Sequence, residues 1–150
     1  MFTTVGLVVF LVLLAGAAIN DIRCYRIPNA VCLALAGVLP LVRLLEGQVA
    51  VLPMAAVAGV VALALGYIAY ARGLWGGGDA KLLAAVALWT GFAGMPRFML
   101  VTGVAGGVFA LIMLIARKAR GGGAVQIPYG VAIAVGGMDW ALPQLLLKIQ

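Results

Sequence analysis

Apolar residues in this chain come in long unbroken runs separated by short polar breaks. Six runs stand out, at residues 2–19, 30–45, 49–71, 82–94, 98–116 and 127–149. A helix that crosses a bilayer needs about 20 apolar residues, so the third and fifth runs suffice by themselves. The second and fourth are short, and their neighbours argue for counting them. The sixth is interrupted by Gly136, Gly137 and Asp139. The pattern predicts an all-α, polytopic transmembrane helix bundle of about six membrane helices, forming a single domain over residues 1–150. Pro53 and Pro96 are expected to mark helix entries, and Gly121–Gly123 a flexible linker.

Composition strengthens this picture. Of 150 residues 66% are hydrophobic and 9% charged, with a mean hydropathy of +1.22, whereas a soluble domain carries about 25% charged residues. So few charges do not cover a water-facing surface, and lipid becomes the expected surrounding. The net charge of +6 would suggest nucleic acid in a soluble protein. Here the basic residues fall in the gaps between apolar runs, where anionic headgroups and insertion topology account for them. No nucleic-acid partner is expected.

Charge also orients the chain. The first basic residue, Arg23, follows the first apolar run instead of preceding it, which argues for a retained helix with its N-terminus outside and against a signal peptide. From that start, Arg23 and Arg26, Arg72 and Lys81, and Arg117, Lys118 and Arg120 fall on one face. Arg43, Arg97 and Lys148 fall on the other. The richer face is expected to be cytoplasmic, and Asp21 and Asp79 both land on it.

The chain has no histidine and no serine. Ser-His triads, His-ligated zinc and H-E-x-x-H metallopeptidase chemistry are thereby excluded. Cys24 and Cys32 lack C-x-x-C spacing and are expected to be reduced thiols, with no metal or cofactor site. Gly103 and Gly107 have G-x-x-x-G spacing, for which packing within the chain is a better expectation than a dedicated dimer face.

Four acids remain. Glu46 stands beside Gly47 in an outer loop and is explained by solvation; Asp139, next to Trp140, reads as an interfacial feature. Asp21 and Asp79 lie where helices meet the membrane boundary, where an acid needs a reason. Asp79 follows Gly76-Gly77-Gly78, and on this segment alone an N-cap explains it as well as chemistry does. Three glycines exceed what a turn needs, and would let an extended substrate strand approach closely. Lys81 is followed by Leu82, which rules out a phosphate loop. Asp21 ends a helix, and either an ion pair with Arg23 or Arg26 or a partner carboxyl would account for it. Two neighbouring carboxyls share a proton, so that one acts as base on water and the other as acid. Helix position assigns the initial base to Asp79.

Three segments together carry a family resemblance: Asn20-Asp21-Ile22-Arg23-Cys24-Tyr25-Arg26-Ile27-Pro28-Asn29, Gly76-Gly77-Gly78-Asp79-Ala80-Lys81-Leu82, and Ile127-Pro128-Tyr129-Gly130-Val131-Ala132-Ile133-Ala134. The chain resembles the type IV prepilin peptidases, most closely the short TadV/CpaA-like members of tight-adherence pilus systems, and its second segment matches the G-x-G-D signature of intramembrane aspartic peptidases. The resemblance implies an aspartic endopeptidase of the bacterial inner membrane that removes the short basic leader from prepilin-like proteins at the cytoplasmic face. It implies Asp21 and Asp79 as catalytic residues. Gly76, Gly77, Gly78, Lys81, Asn29, Pro128, Tyr129 and Gly130 follow as substrate-binding or site-shaping positions. Longer family members carry paired C-x-x-C motifs and methylate the new N-terminus. Those motifs are absent here, so N-methyltransferase activity is not expected. An archaeal preflagellin peptidase is a related reading.

The alternative from another class is a small transporter or ion-conducting protein using the same aspartates as proton or cation sites. That reading expects an acid near the midplane and internal repeats, and the sequence displays neither.

Overall fold

The computed structural model describes residues 2–119 and 127–149. Arg120 and the Gly121–Gly123 linker lie outside the described residues. The chain forms α1 (Phe2–Cys24), α2 (Asn29–Leu45), a 3-10 turn (Val49–Val51), α3 (Leu52–Ala71), α4 (Gly77–Ala119) and α5 (Tyr129–Ile149). Four of these are long and apolar enough to cross a membrane, and α2 is a shorter apolar helix. No strand occurs among the described residues. The expectation of an all-α membrane bundle holds.

The helix α4 is two arms. Gly91 stands inside it at φ 56, ψ −173, a conformation essentially restricted to glycine. Contacts show that the chain turns back there. Below Gly91, α5 runs parallel to α4: Tyr129 meets Trp75 and Gly137 abuts Val86. Beyond Gly91 the direction is opposite, since Trp140 meets Gly94 and Tyr129 meets Gly106. The break expected near residues 95–97 therefore falls at Gly91. Pro96, expected at a helix entry, lies within the second arm. Pro53 does sit in the first turn of α3. The first arm, 77–90, is about 21 Å long at 1.5 Å per residue, short of a hydrocarbon core of about 30 Å.

The other helices alternate in direction around this arm. Thr3 meets Glu46 and Gly6 meets Val42, so α1 and α2 are antiparallel. The indole of Trp89 donates to the Leu35 carbonyl at 2.8 Å, and Lys81 donates to Asn29 at 2.9 Å, so α2 runs with the first arm. α3 runs against it, with Gly66 on Ala80 and Gly59 on Leu88. One end of the bundle thus gathers Asp21, Asn29, Tyr70, Asp79 and Tyr129. The opposite end gathers Thr3, Glu46, Gly91 and Trp140.

Phe10, Leu14, Leu35, Leu82, Leu83, Val86, Phe98 and Ile133 are fully buried at the centre. The Phe10 ring lies 4.8 Å from that of Trp89 and 5.9 Å from that of Trp140. Large apolar side chains also cover the outside, such as Val60, Leu100 and Leu147. In water that surface would be untenable; in lipid the helices associate through close packing and interhelical hydrogen bonds instead of the hydrophobic effect. Gly103 and Gly107, expected to serve packing within the chain, have no neighbour within 4 Å. They lie on the outer surface of the second arm.

Two acids belong to the end away from Asp21. Asp139 accepts from Arg97 in a bidentate pair, Oδ2–Nε 2.7 Å and Oδ1–Nη2 3.1 Å, which makes it an ion-pair partner as well as a boundary residue. Glu46 is held more firmly than a solvated loop acid. Its Oε1 accepts from the Thr3 N–H at 2.7 Å and from the Thr3 hydroxyl, which satisfies a free donor in the first turn of α1. The Thr3 hydroxyl bond is the main influence holding the Glu46 carboxyl below its ordinary range.

Candidate active site

Asp21 stands in the last turn of α1, on the side facing α5, and is 4% exposed. The helix stops four residues later because Tyr25 takes a left-handed conformation, φ 51, with its N–H bonded to the Asp21 carbonyl at 2.8 Å. The Asn20 amide donates to the carbonyl of Arg26 and folds the connecting loop back over the helix end. Pro28 then leads into α2 in an extended conformation.

Asp79 is 9% exposed and lies in the first turn of α4. Gly76 occupies the capping position, its carbonyl accepting from the N–H groups of Asp79 and Ala80. Asp79 is therefore the third helical residue, and the N-cap reading is corrected. Its Oδ2 reaches back to accept from the Gly76 N–H at 2.9 Å, as an acid in a capping box does. This bond fixes the carboxylate toward the turn.

The two carboxylates come from elements 58 positions apart in sequence and line one cavity of about 740 Å³. Neither has a cation partner: the ion pairs among the described residues are Arg43–Glu46 and Arg97–Asp139. The ion pair with Arg23 or Arg26, the alternative to a partner carboxyl for Asp21, is not formed. One oxygen of Asp21, Oδ2, is buried without a hydrogen-bond partner, an arrangement that costs free energy unless something else uses it. Opposite it stands the first turn of α5, with the backbone of Gly130 and Val131 facing the carboxyl. Both aspartates thus face a helix N-terminus, so the asymmetry expected from Asp21 lying at a helix C-terminus is offset by α5.

Ile27 holds the two halves of the site together. A Cβ at Gly78 would stand 3.2 Å from Ile27 Cβ, and one at Gly130 would stand 2.7 Å from Ile27 Cδ1 and 2.8 Å from Asp21 Oδ2. Ile27 is wedged between the residue preceding Asp79 and the residue facing Asp21. Gly78 is accounted for by this packing within the chain, so it does not need a substrate strand to explain it. Gly77 meets only ordinary contacts with the Tyr70 ring, which leaves its backbone face open toward the cavity.

The remaining residues singled out from sequence divide. Gly76, Gly77, Gly78 and Tyr129 line the cavity with the aspartates. Pro128 and Gly130 are buried and do not line it, and Gly130 lies against Asp21. Asn29 and Lys81 are not brought in; they bind each other and line a separate groove between α2 and α3. Tyr25, Ile27, Gly73, Leu74 and Ile127 line the cavity without having been singled out, and Arg26, considered only as an ion-pair partner of Asp21, lines it too. Tyr25, Arg26 and Ile27 belong to the quoted first segment, in which only Asp21 and Asn29 were named as site positions. No group of three or more His, Cys, Asp or Glu side chains able to hold a metal occurs among the described residues.

The arrangement suits hydrolysis by acid and base. Two desolvated carboxyls, one fixed by a backbone donor and one with an open oxygen, face a space large enough for a peptide segment and a water. A match to known families follows the same lines: residues 8–111, which carry both aspartates, match the model of the type IV leader peptidase family. The Pro128-Tyr129-Gly130 turn lies beyond the matched stretch. No match was found among curated proteins or among solved structures. With the family model covering more than half of its residues, the chain belongs to the type IV leader peptidase family.

Proposed function

We propose that Asp21 and Asp79 are the catalytic pair of a membrane-embedded aspartic endopeptidase that removes short basic leaders from prepilin-like proteins. The observation that carries this reading is the convergence on one cavity, at one end of an apolar bundle, of two buried carboxylates with no cation partner among the described residues. One carboxylate takes a proton from water as the water oxygen attacks the scissile carbonyl. The other, protonated, gives its proton to the carbonyl oxygen; on collapse of the gem-diol it takes a proton back from a hydroxyl while the first carboxyl passes the proton taken from water to the leaving amine. Asp79, fixed by the Gly76 N–H, is assigned the base in the first step, although the two titrate as one unit.

The orientation follows from charge. Arg23, Arg26 and Arg72 lie at the aspartate end and the N-terminus at the other, which supports a cytoplasmic site in a bacterial inner membrane under the positive-inside rule. The short TadV/CpaA-like type is the subgroup we assign. The proposal extends to cleavage alone; methylation of the new N-terminus is not part of it. A transporter reading places an acid near the membrane centre, whereas both aspartates lie at an end of the helices that carry them.

The test is to incubate the purified protein in lipid nanodiscs with a prepilin precursor and follow the loss of its leader by mass spectrometry. Cleavage at one bond by the wild type and none by Asp79→Asn is expected. Intact precursor with wild-type protein would overturn the reading.

A further inference from the structure

The helices α2 and α3 both pack on the first arm of α4 and are not packed on each other. Between them lies a groove of about 550 Å³, separate from the aspartate cavity. Its walls include Leu33, Val60, Leu63 and Leu88, and Lys81 is its charged group. The Lys81 side chain is exposed, and its Nζ donates to Asn29 Oδ1 at 2.9 Å. No carboxylate pairs with Lys81 among the described residues. The groove therefore joins an apolar trough to an ammonium group with open donor positions, at the basic end of the bundle.

We propose that this groove binds one anionic phospholipid, its acyl chain lying between α2 and α3 and its phosphate on the Lys81 ammonium and the Asn29 amide. Asn29 Oδ1 is used by Lys81, which leaves its Nδ2 as a second donor for a phosphate oxygen. Size favours this occupant. An apolar cavity of about 150 Å³ holds one benzene, about 25 Å³ per carbon, so the groove takes on the order of twenty carbons. That is one acyl chain. Charge then selects among lipids, because a lysine at this depth attracts an anionic headgroup and gains nothing comparable from a zwitterionic one. The inference does not depend on the proteolytic reading, and its test is read on lipid and not on cleavage.

Native mass spectrometry of the protein, equilibrated in detergent with equimolar phosphatidylglycerol and phosphatidylcholine of the same chains, reads the site directly. One phosphatidylglycerol is expected to be retained, preferred about fivefold, the factor associated with one interfacial lysine. Lys81→Met should abolish the preference and Lys81→Arg should keep it. Ala36→Phe, which places a ring in the groove with the lysine intact, should remove the bound lipid. Equal retention of both lipids, or a preference that survives both Lys81→Met and Ala36→Phe, would overturn the proposal. So would a groove occupied by a second copy, seen as a dimer mass in place of bound lipid.

Discussion

The Asp21 carboxylate lies against the backbone of Gly130, so close that a Cβ at position 130 would stand 2.8 Å from its Oδ2. This contact ties the end of α1 to the start of α5 and sets where one of the two carboxyls points. Gly130→Ala is expected to displace Asp21 while leaving the bundle folded. Misplacing a reacting group by about 1 Å costs about a hundredfold in rate, and a loss of that order in leader cleavage, with unchanged helical circular dichroism, is the expected result. Full activity in this variant would show that the Asp21–Gly130 contact does not position the reaction.

Gly91 makes the reversal of α4 possible. At φ 56, ψ −173 a side chain imposes strain of roughly 1–3 kcal/mol. Gly91→Ala should lower the unfolding free energy by about that amount, measured by steric trapping or denaturant titration in detergent. Gly103→Ala, at an exposed helical position with no neighbour within 4 Å, should not be destabilising.

The Glu46–Thr3 contact gives stability a dependence on pH. Thr3 holds the Glu46 carboxyl below its ordinary value of 4.5, so the folded state favours the carboxylate. Its contribution is complete above that ordinary value and is lost as pH falls through the lower, folded-state value. The Tm of Glu46→Gln should therefore lie below that of the wild type at neutral pH, with the gap closing in acid. A gap of constant size from neutral to strongly acidic pH would contradict the assignment.

Asp139 is separated from the dyad by its partner and its place. It pairs with Arg97 at the opposite end of the bundle, and the arginine side chain is 63% exposed, a setting in which an ion pair adds little to stability. Asp139→Asn should keep cleavage within about twofold of wild type, since it touches nothing that reacts, and should leave the unfolding midpoint close to that of wild type.

Much of the fold was legible because a bilayer demands long apolar runs, and the third and fifth runs stand out by length alone. The helix boundaries were less so. Pro96 attracted the expected break, yet the turn falls at Gly91, whose positive φ is set by the packing of two arms and leaves no local signature. Likewise Gly77 and Gly78, poor helix formers, conceal that α4 begins before Asp79, which turns an expected cap into a residue of the first turn. In the site, Asp21 and Asp79 stood out because acids are rare in such a chain. Lys81 and Asn29 share segments with those aspartates but point to the other side of the first arm, a consequence of helical phase and of where α2 docks. Ile27 is an ordinary apolar residue, and its wedging between Gly78 and Gly130 exists only in three dimensions.

The central claim is that Asp21 and Asp79 act as one unit, and paired substitution tests it most directly. Initial rates of leader removal would be measured for wild type, Asp21→Asn, Asp79→Asn and the double variant in the same nanodiscs. Groups that act together lose function non-additively. Each single variant should lose at least about a thousandfold, the double should be no slower than the worse single, and all should keep wild-type helical spectra. Substantial cleavage by either single variant would contradict the dyad.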